Sequence, residues 1–257
     1  MIGFLTLLER EVKRFLKVII QTLISPIVSS FLYLLVFGVS LGASVKLNTG
    51  IPYLSFLIPG LMAMGLINNA FQNSSSSVVT SKFSGDLEDL RVVPISNTQI
   101  IFAMGFGGVI RGFLVAAVTG IVGSIFHYYK LGEFLTISHP FWMLFFILTG
   151  GLTFSFIGIF IAFIARTFDQ LTAFSTFILL PLTYLGGVFV SIETLHPIWQ
   201  TVSKINPLFY LINGFRHAII GSADVDLLSS VVVCTVAVAV TYCMARIALV
   251  KGSFSRW

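Results

Sequence analysis

The chain has 257 residues, of which 56% are hydrophobic and only 10% charged, and its mean hydropathy is +0.99. Soluble domains run at about 45–50% apolar and about 25% charged residues, so a soluble domain is excluded and an integral membrane protein follows. The net charge of +5 admits an anionic partner, yet with so few charges their placement matters more than their sum.

Residues 1–17 open with Phe4, Leu5, Leu8, Val12, Phe15 and Leu16 at helical spacing, with Glu9, Arg10, Lys13, Arg14 and Lys17 on the other side. This predicts a helix lying along the cytoplasmic surface, the alternative being a first span that simply extends into water. The first apolar run follows these charges and is longer than a signal h-region, so the N-terminus is expected to be retained.

Six apolar runs of membrane length follow: 18–43, 53–79, 99–126, 140–165, 171–190 and 227–249. Six crossings put both ends on one side. Arg10, Lys13, Arg14, Lys17, Lys82, Arg91, Arg166, Arg246, Lys251 and Arg256 then share that side, against Lys46, Lys130, Lys204 and Arg216 opposite. The positive-inside rule makes the ends cytoplasmic.

In the second run Asn69, Gln72, Asn73, Ser76 and Thr80 recur at steps of mostly three and four, forming a polar stripe toward the cytoplasmic end. Interhelical hydrogen bonding and a substrate pathway both fit it. The connection from Thr80 to Asn97 has the grammar of a short helix, with Asp86, Glu88 and Asp89 early, Arg91 late and Pro94 as a stop. Leu87 and Leu90 lie on one side of it, which suits either a docking surface or a solvated connector.

Arg111 stands inside the third run, where a charge needs a partner or a water route. The run is longer than one crossing needs, so snorkelling or an ion pair with Asp169 or Glu88 competes with a gating role. Gly108 and Gly112, and the pair Gly150 and Gly151, allow close helix approach. Cys234 and Cys243, nine residues apart on one helix, face opposite ways and do not pair with each other. His127, His139, His196 and His217 all fall on the outer side at spacings that fit no metal motif.

The run from Leu171 to Val190 carries no charge. Residues 191–221 after it are too polar to span and too apolar to leave the membrane: Trp199, Phe209, Tyr210 and Phe215 mix with Glu193, Lys204 and Arg216, broken by Pro197, Pro207 and Gly214. Backbone breaks at membrane depth survive only where protein or a wet cavity shelters them.

No G-x-x-x-x-G-K-[ST] phosphate loop occurs, since Lys251-Gly252-Ser253 runs in the wrong order. No G-x-S-x-G elbow, H-E-x-x-H pair or Cys/His metal spacing occurs either, which argues against a membrane hydrolase. An ATP-independent channel or secondary carrier is the alternative to a machine with a separate ATPase.

Asp86-Leu-Glu-Asp-Leu-Arg-Val-Val-Pro-Ile95, Arg166-Thr-Phe-Asp-Gln170, Pro181-Leu-Thr-Tyr-Leu-Gly-Gly-Val-Phe189 and Asn206-Pro-Leu-Phe-Tyr210 with Gly214-Phe-Arg216 together resemble the ABC-2-type transporter permeases. The likeness covers almost the whole chain and is strongest toward the YadH branch, which itself resembles the NodJ and DrrB permeases. It implies one all-α transmembrane domain over 1–257 with six transmembrane helices, paired as a homodimer with two copies of a separate ABC ATPase subunit. That partner, not this chain, would hold ATP and Mg. The resemblance implies export of a lipid, glycolipid, polysaccharide or amphipathic drug across a bacterial inner membrane, with no nucleic acid involved. It makes Ser84, Asp86, Leu87, Glu88, Asp89, Leu90 and Arg91 the ATPase-coupling helix, while Asn69, Gln72, Asn73, Ser76 and Arg111 are candidates for pathway or packing on their own placement within the spans. It also makes the outer segment a re-entrant helical hairpin, with Glu193, Pro197, Trp199, Asn206, Pro207, Gly214 and Arg216 as its gate.

Overall fold

The computed structural model describes residues 2–42 and 50–251, with only the backbone of Leu41, Leu90, Arg91 and Val92. The end of the first apolar run, Lys46, Arg256 and the side chains of Leu90 and Arg91 therefore lie outside the described residues. Everything described is helix, turn or irregular chain, with no strand among the described residues.

Helix α1 (Ile2–Leu16) is followed by a turn at Lys17 and Val18, and α2 (Ile19–Tyr33) continues as a π-helix, Leu34–Leu41. The turn makes α1 a separate helix instead of an extension of the first span. Helix α3 (Tyr53–Ser84) ends at Gly85, whose φ of +87° lets the chain turn straight into α4 (Asp86–Val92). Helix α5 (Asn97–Leu131) starts from a capping box in which Ser96 and Gln99 satisfy each other's backbone, and stops at Gly132. Helix α6 (Pro140–Ile164) begins on proline.

The run predicted over 171–190 is helical as three successive pieces: α7 (Phe168–Phe174), a π turn (Ser175–Leu179) and α8 (Leu180–Leu185). Pro181 has no N–H for the Phe177 carbonyl, and the π turn lies over that residue. A 3-10 turn at Ile192–Thr194 leads to α9 (Pro197–Ile205), α10 (Pro207–Ile220) and α11 (Leu227–Lys251). Five helical stretches are long and apolar enough to cross a membrane: Ile19–Ser40, Tyr53–Ser84, Asn97–Leu131, Pro140–Ile164 and Leu227–Lys251.

Helix α3 is the hub, packed on α5, α6 and α10 and buried for most of its length. Glycines set how closely its neighbours approach. A Cβ on Gly108 would meet the Ala70 carbonyl at 2.9 Å, and one on Gly112 the Leu66 carbonyl at 2.8 Å, so that pair seats α5 on α3 within the chain. Cys234 is buried, while Cys243 is exposed one face away.

At 1.5 Å per residue, the 32 residues of α3 and 35 of α5 reach about 48 Å and about 52 Å, past the roughly 30 Å hydrocarbon layer. Helix α1 crosses them near Asn73 to Ser77 and Gly107. From Gly107 to Leu131 is about 36 Å, enough for one crossing, so the earlier residues of α5 extend beyond α1.

Candidate functional site

The buried stripe of α1 is Leu7, Glu11 and Phe15, a spacing of i, i+4, i+8 that puts a carboxylate amid apolar side chains. Gly107 makes room for it, because a Cβ there would stand 2.7 Å from that of Glu11. Ser77 Oγ donates to Glu11 Oε1 at 2.8 Å, and the guanidiniums of Arg10 and Arg14 approach the two carboxylate oxygens at 3.3 and 3.4 Å. Arg14 also donates to the Asn73 carbonyl (2.7 Å), Asn73 Oδ1 (3.1 Å) and Ser76 Oγ (3.1 Å). Arg14 was expected on the solvated side of α1; it turns inward because these α3 oxygens and Glu11 outbid water for it. Burial pushes its guanidinium down from its ordinary value, with Glu11 opposing.

This divides the predicted polar stripe. Asn73 and Ser76 hold α1, whereas Gln72 is exposed and Asn69 half-buried, its amide donating to the Gly65 carbonyl at 3.1 Å. Gln72 and Asn69, with Asn68 and Thr119, face a cavity of about 490 Å³ whose far wall is the polar edge of α2: Gln21, Thr22, Ser25, Ser29 and Ser30. A second cavity of about 440 Å³, lined by Ser75, Ser76, Thr172, Ser175 and Thr176, lies on the α7 side. Gln72 and Arg111 line both.

Neither expected partner of Arg111 meets it: among the described residues it makes no ion pair with Asp169 or Glu88, and its buried Nε has no acceptor. The charge that acts on it is Arg14, and the two repel.

At the α1 end, Leu87 of α4 is buried in a cluster with Leu7, Val78, Ile101 and Phe163, while Ser84, Asp86, Glu88 and Asp89 are exposed. Lys82, one turn before Gly85, is fully buried; its ammonium donates to the Ala162 and Phe163 carbonyls at 2.8 and 3.0 Å and lies over the Phe163 ring. It ties the foot of α3 to the carbonyl end of α6 directly beside α4. A lysine closing an apolar run just before glycine was the available signal; its partner, two helices away, was not.

At the other end α10 is buried on nearly every side. Asn206 caps it by accepting from Leu208 N at 3.1 Å, donates to the Leu182 carbonyl at 2.7 Å, and so joins α8 to α10; Pro207 supplies the first turn. Gly214 lies flat against the Phe146 ring. Arg216 is buried over the Phe56 ring, donates to the Gly187 carbonyl, and faces Asp224 at 3.5 Å. Burial pushes the Asp224 carboxyl up from its ordinary value, more than Arg216 pulls it down. Glu193, Pro197 and Trp199 instead lie on the exposed surface, with Ile198, Val202 and Ile205 of α9 presenting an apolar stripe outward.

Long apolar helices around a polar-lined groove define a polytopic helical membrane protein with room for water or solute inside it. Residues 3–220 match the model of the ABC-2 type transporter family. The inner membrane transport permease YadH of Escherichia coli K12 is 35% identical over 243 residues, covering 95% of this chain and 93% of that protein. Nodulation protein J of Rhizobium leguminosarum bv. trifolii is 22% identical over 82% of this chain and 78% of its own length. A putative transport permease, ycf38 of Cyanophora paradoxa, is 29% identical over 76% and 67%. The chain belongs to the ABC-2 type transporter family, as a transport permease of the membrane.

Proposed function

We propose that the chain is the transmembrane subunit of an ATP-driven exporter in a bacterial inner membrane, working as a homodimer with two copies of a separate ABC ATPase that holds ATP and Mg. The cargo is a lipid, glycolipid, polysaccharide or amphipathic drug. Residues 168–185 form a sixth crossing broken by its π turn, both ends face the cytoplasm, and α9 and α10 re-enter from outside to shape the exit.

The observation that carries this reading, beside family membership, is the build of α4. Its acids Asp86, Glu88 and Asp89 are free to meet a partner, Leu87 is locked in the core, and Lys82 ties the adjoining foot of α3 to α6. A push on α4 is thereby delivered to two long helices at once. Closure of the ATPase pair would shift these helices and switch the groove between inward and outward access.

Charge reversal at Glu88 and Asp89 tests the coupling. Both side chains are exposed, so the variant should keep its melting temperature and lose ATPase binding or stimulation. Unchanged coupling would rule out this docking face.

A further inference from the structure

The groove contains a cation that nothing else in the fold explains. Arg111 stands on α5 one helical turn past Gly107, where α1 crosses, with its Nε buried and without an acceptor among the described residues. It lines both cavities, and no carboxylate lines either. The charge that acts on it, Arg14, has the same sign and is already shared between Glu11 and α3 oxygens. Two guanidiniums, Arg10 and Arg14, thus already share one carboxylate, Glu11.

An uncompensated guanidinium within a span is costly unless a ligand or water satisfies it. The cavities it lines also carry neutral donors, Gln72, Ser175 and Thr176, suited to a phosphate or carboxylate. The walls also carry Leu61, Met64, Phe71 and Leu171, suited to an acyl chain. We propose that the paired cavities at Arg111 bind the anionic headgroup, phosphate or carboxylate, of an amphiphile that is the transported substrate. This rests on the exporter reading and specifies its substrate class; the planar fork of Arg is the group suited to bidentate recognition of such an anion.

The test uses purified full-length protein in zwitterionic nanodiscs without any ATPase. Short-chain phosphatidate, the phosphatidylcholine of the same chain length, and inorganic phosphate are each titrated. Wild type should prefer phosphatidate over both. Arg111→Gln should weaken phosphatidate binding about tenfold or more while leaving phosphatidylcholine unchanged, and Arg111→Lys should fall between. Because Arg111 has no partner to lose among the described residues, Arg111→Gln should melt no lower than wild type and keep its oligomeric state. Equal phosphatidate affinity in wild type and Arg111→Gln would overturn the inference, as would a variant that melts lower or falls apart into monomers, which would make Arg111 a structural contact. Inorganic phosphate binding as tightly as phosphatidate would overturn the amphiphile part. None of these outcomes bears on ATPase coupling, so failure here and failure of the exporter reading are separable.

Discussion

Replacing Glu11 by Ala should undock α1 from the bundle. Glu11 is fully buried, accepts a 2.8 Å hydrogen bond from Ser77, and lies 3.3 and 3.4 Å from Arg10 and Arg14. Removing one member of a buried ion pair costs about 3–5 kcal/mol. Arg10 and Arg14 keep 39% and 30% of their side-chain exposure, and Arg14 retains its Asn73 and Ser76 acceptors. Water and those oxygens recover part of the loss, which leaves about 2–3 kcal/mol, a shift of roughly 30- to 150-fold in the docked population. Glu11→Gln keeps an acceptor for Ser77 and should lose about 1–2 kcal/mol.

Because α1 is a separate helix held mainly by Leu7, Glu11 and Phe15, the effect should be local. Hydrogen exchange of residues 2–16 in nanodiscs should accelerate strongly for Glu11→Ala, while the core of α3 stays protected. A double-mutant cycle with Arg14→Ala should show coupling of about 1 kcal/mol or more. Unchanged exchange of α1 in Glu11→Ala, or strict additivity with Arg14→Ala, would refute the buried network.

Lys82→Ala should lower stability by about 1–3 kcal/mol, read as a drop in melting temperature, because the α6 carbonyls lose a buried ammonium. Gly60→Ala should cost more than Gly120→Ala: the first would press on the Val188 backbone carbonyl at 2.8 Å, the second only on the flexible end of Met62 at 2.9 Å. Thermal melts of the two variants compare them directly. Arg216→Ala should cost about 3–5 kcal/mol and Asp224→Asn less, since Arg216 also holds the Gly187 carbonyl and the Phe56 ring; equal losses in melting experiments would contradict that ordering.

The apolar runs and the short α4 helix were legible from sequence, because each rests on neighbours within a few residues, whereas the caps at Ser96 and Asn206 were not read as such. The Glu11 network was not: the residue reads as one more surface charge until Gly107, distant along the chain, leaves space for it. Arg111 was legible as an anomaly, but its neighbour was misplaced, since helical periodicity put Arg14 in water and spacing has no means of placing α1 across α3. In the same way the outer segment was legible as unusual, and its division into a buried α10 and an exposed α9 came from packing against Phe146 and Phe56.

The most direct measurement is reconstitution of the chain in liposomes with a candidate ABC ATPase subunit, following ATP turnover and movement of a fluorescent anionic amphiphile together. ATP hydrolysis that rises when the permease is present, with amphiphile moved only while ATP is hydrolysed, is the expected result. A permease that neither binds the ATPase nor alters its turnover, or that moves the amphiphile on an ion gradient without ATP, would contradict it.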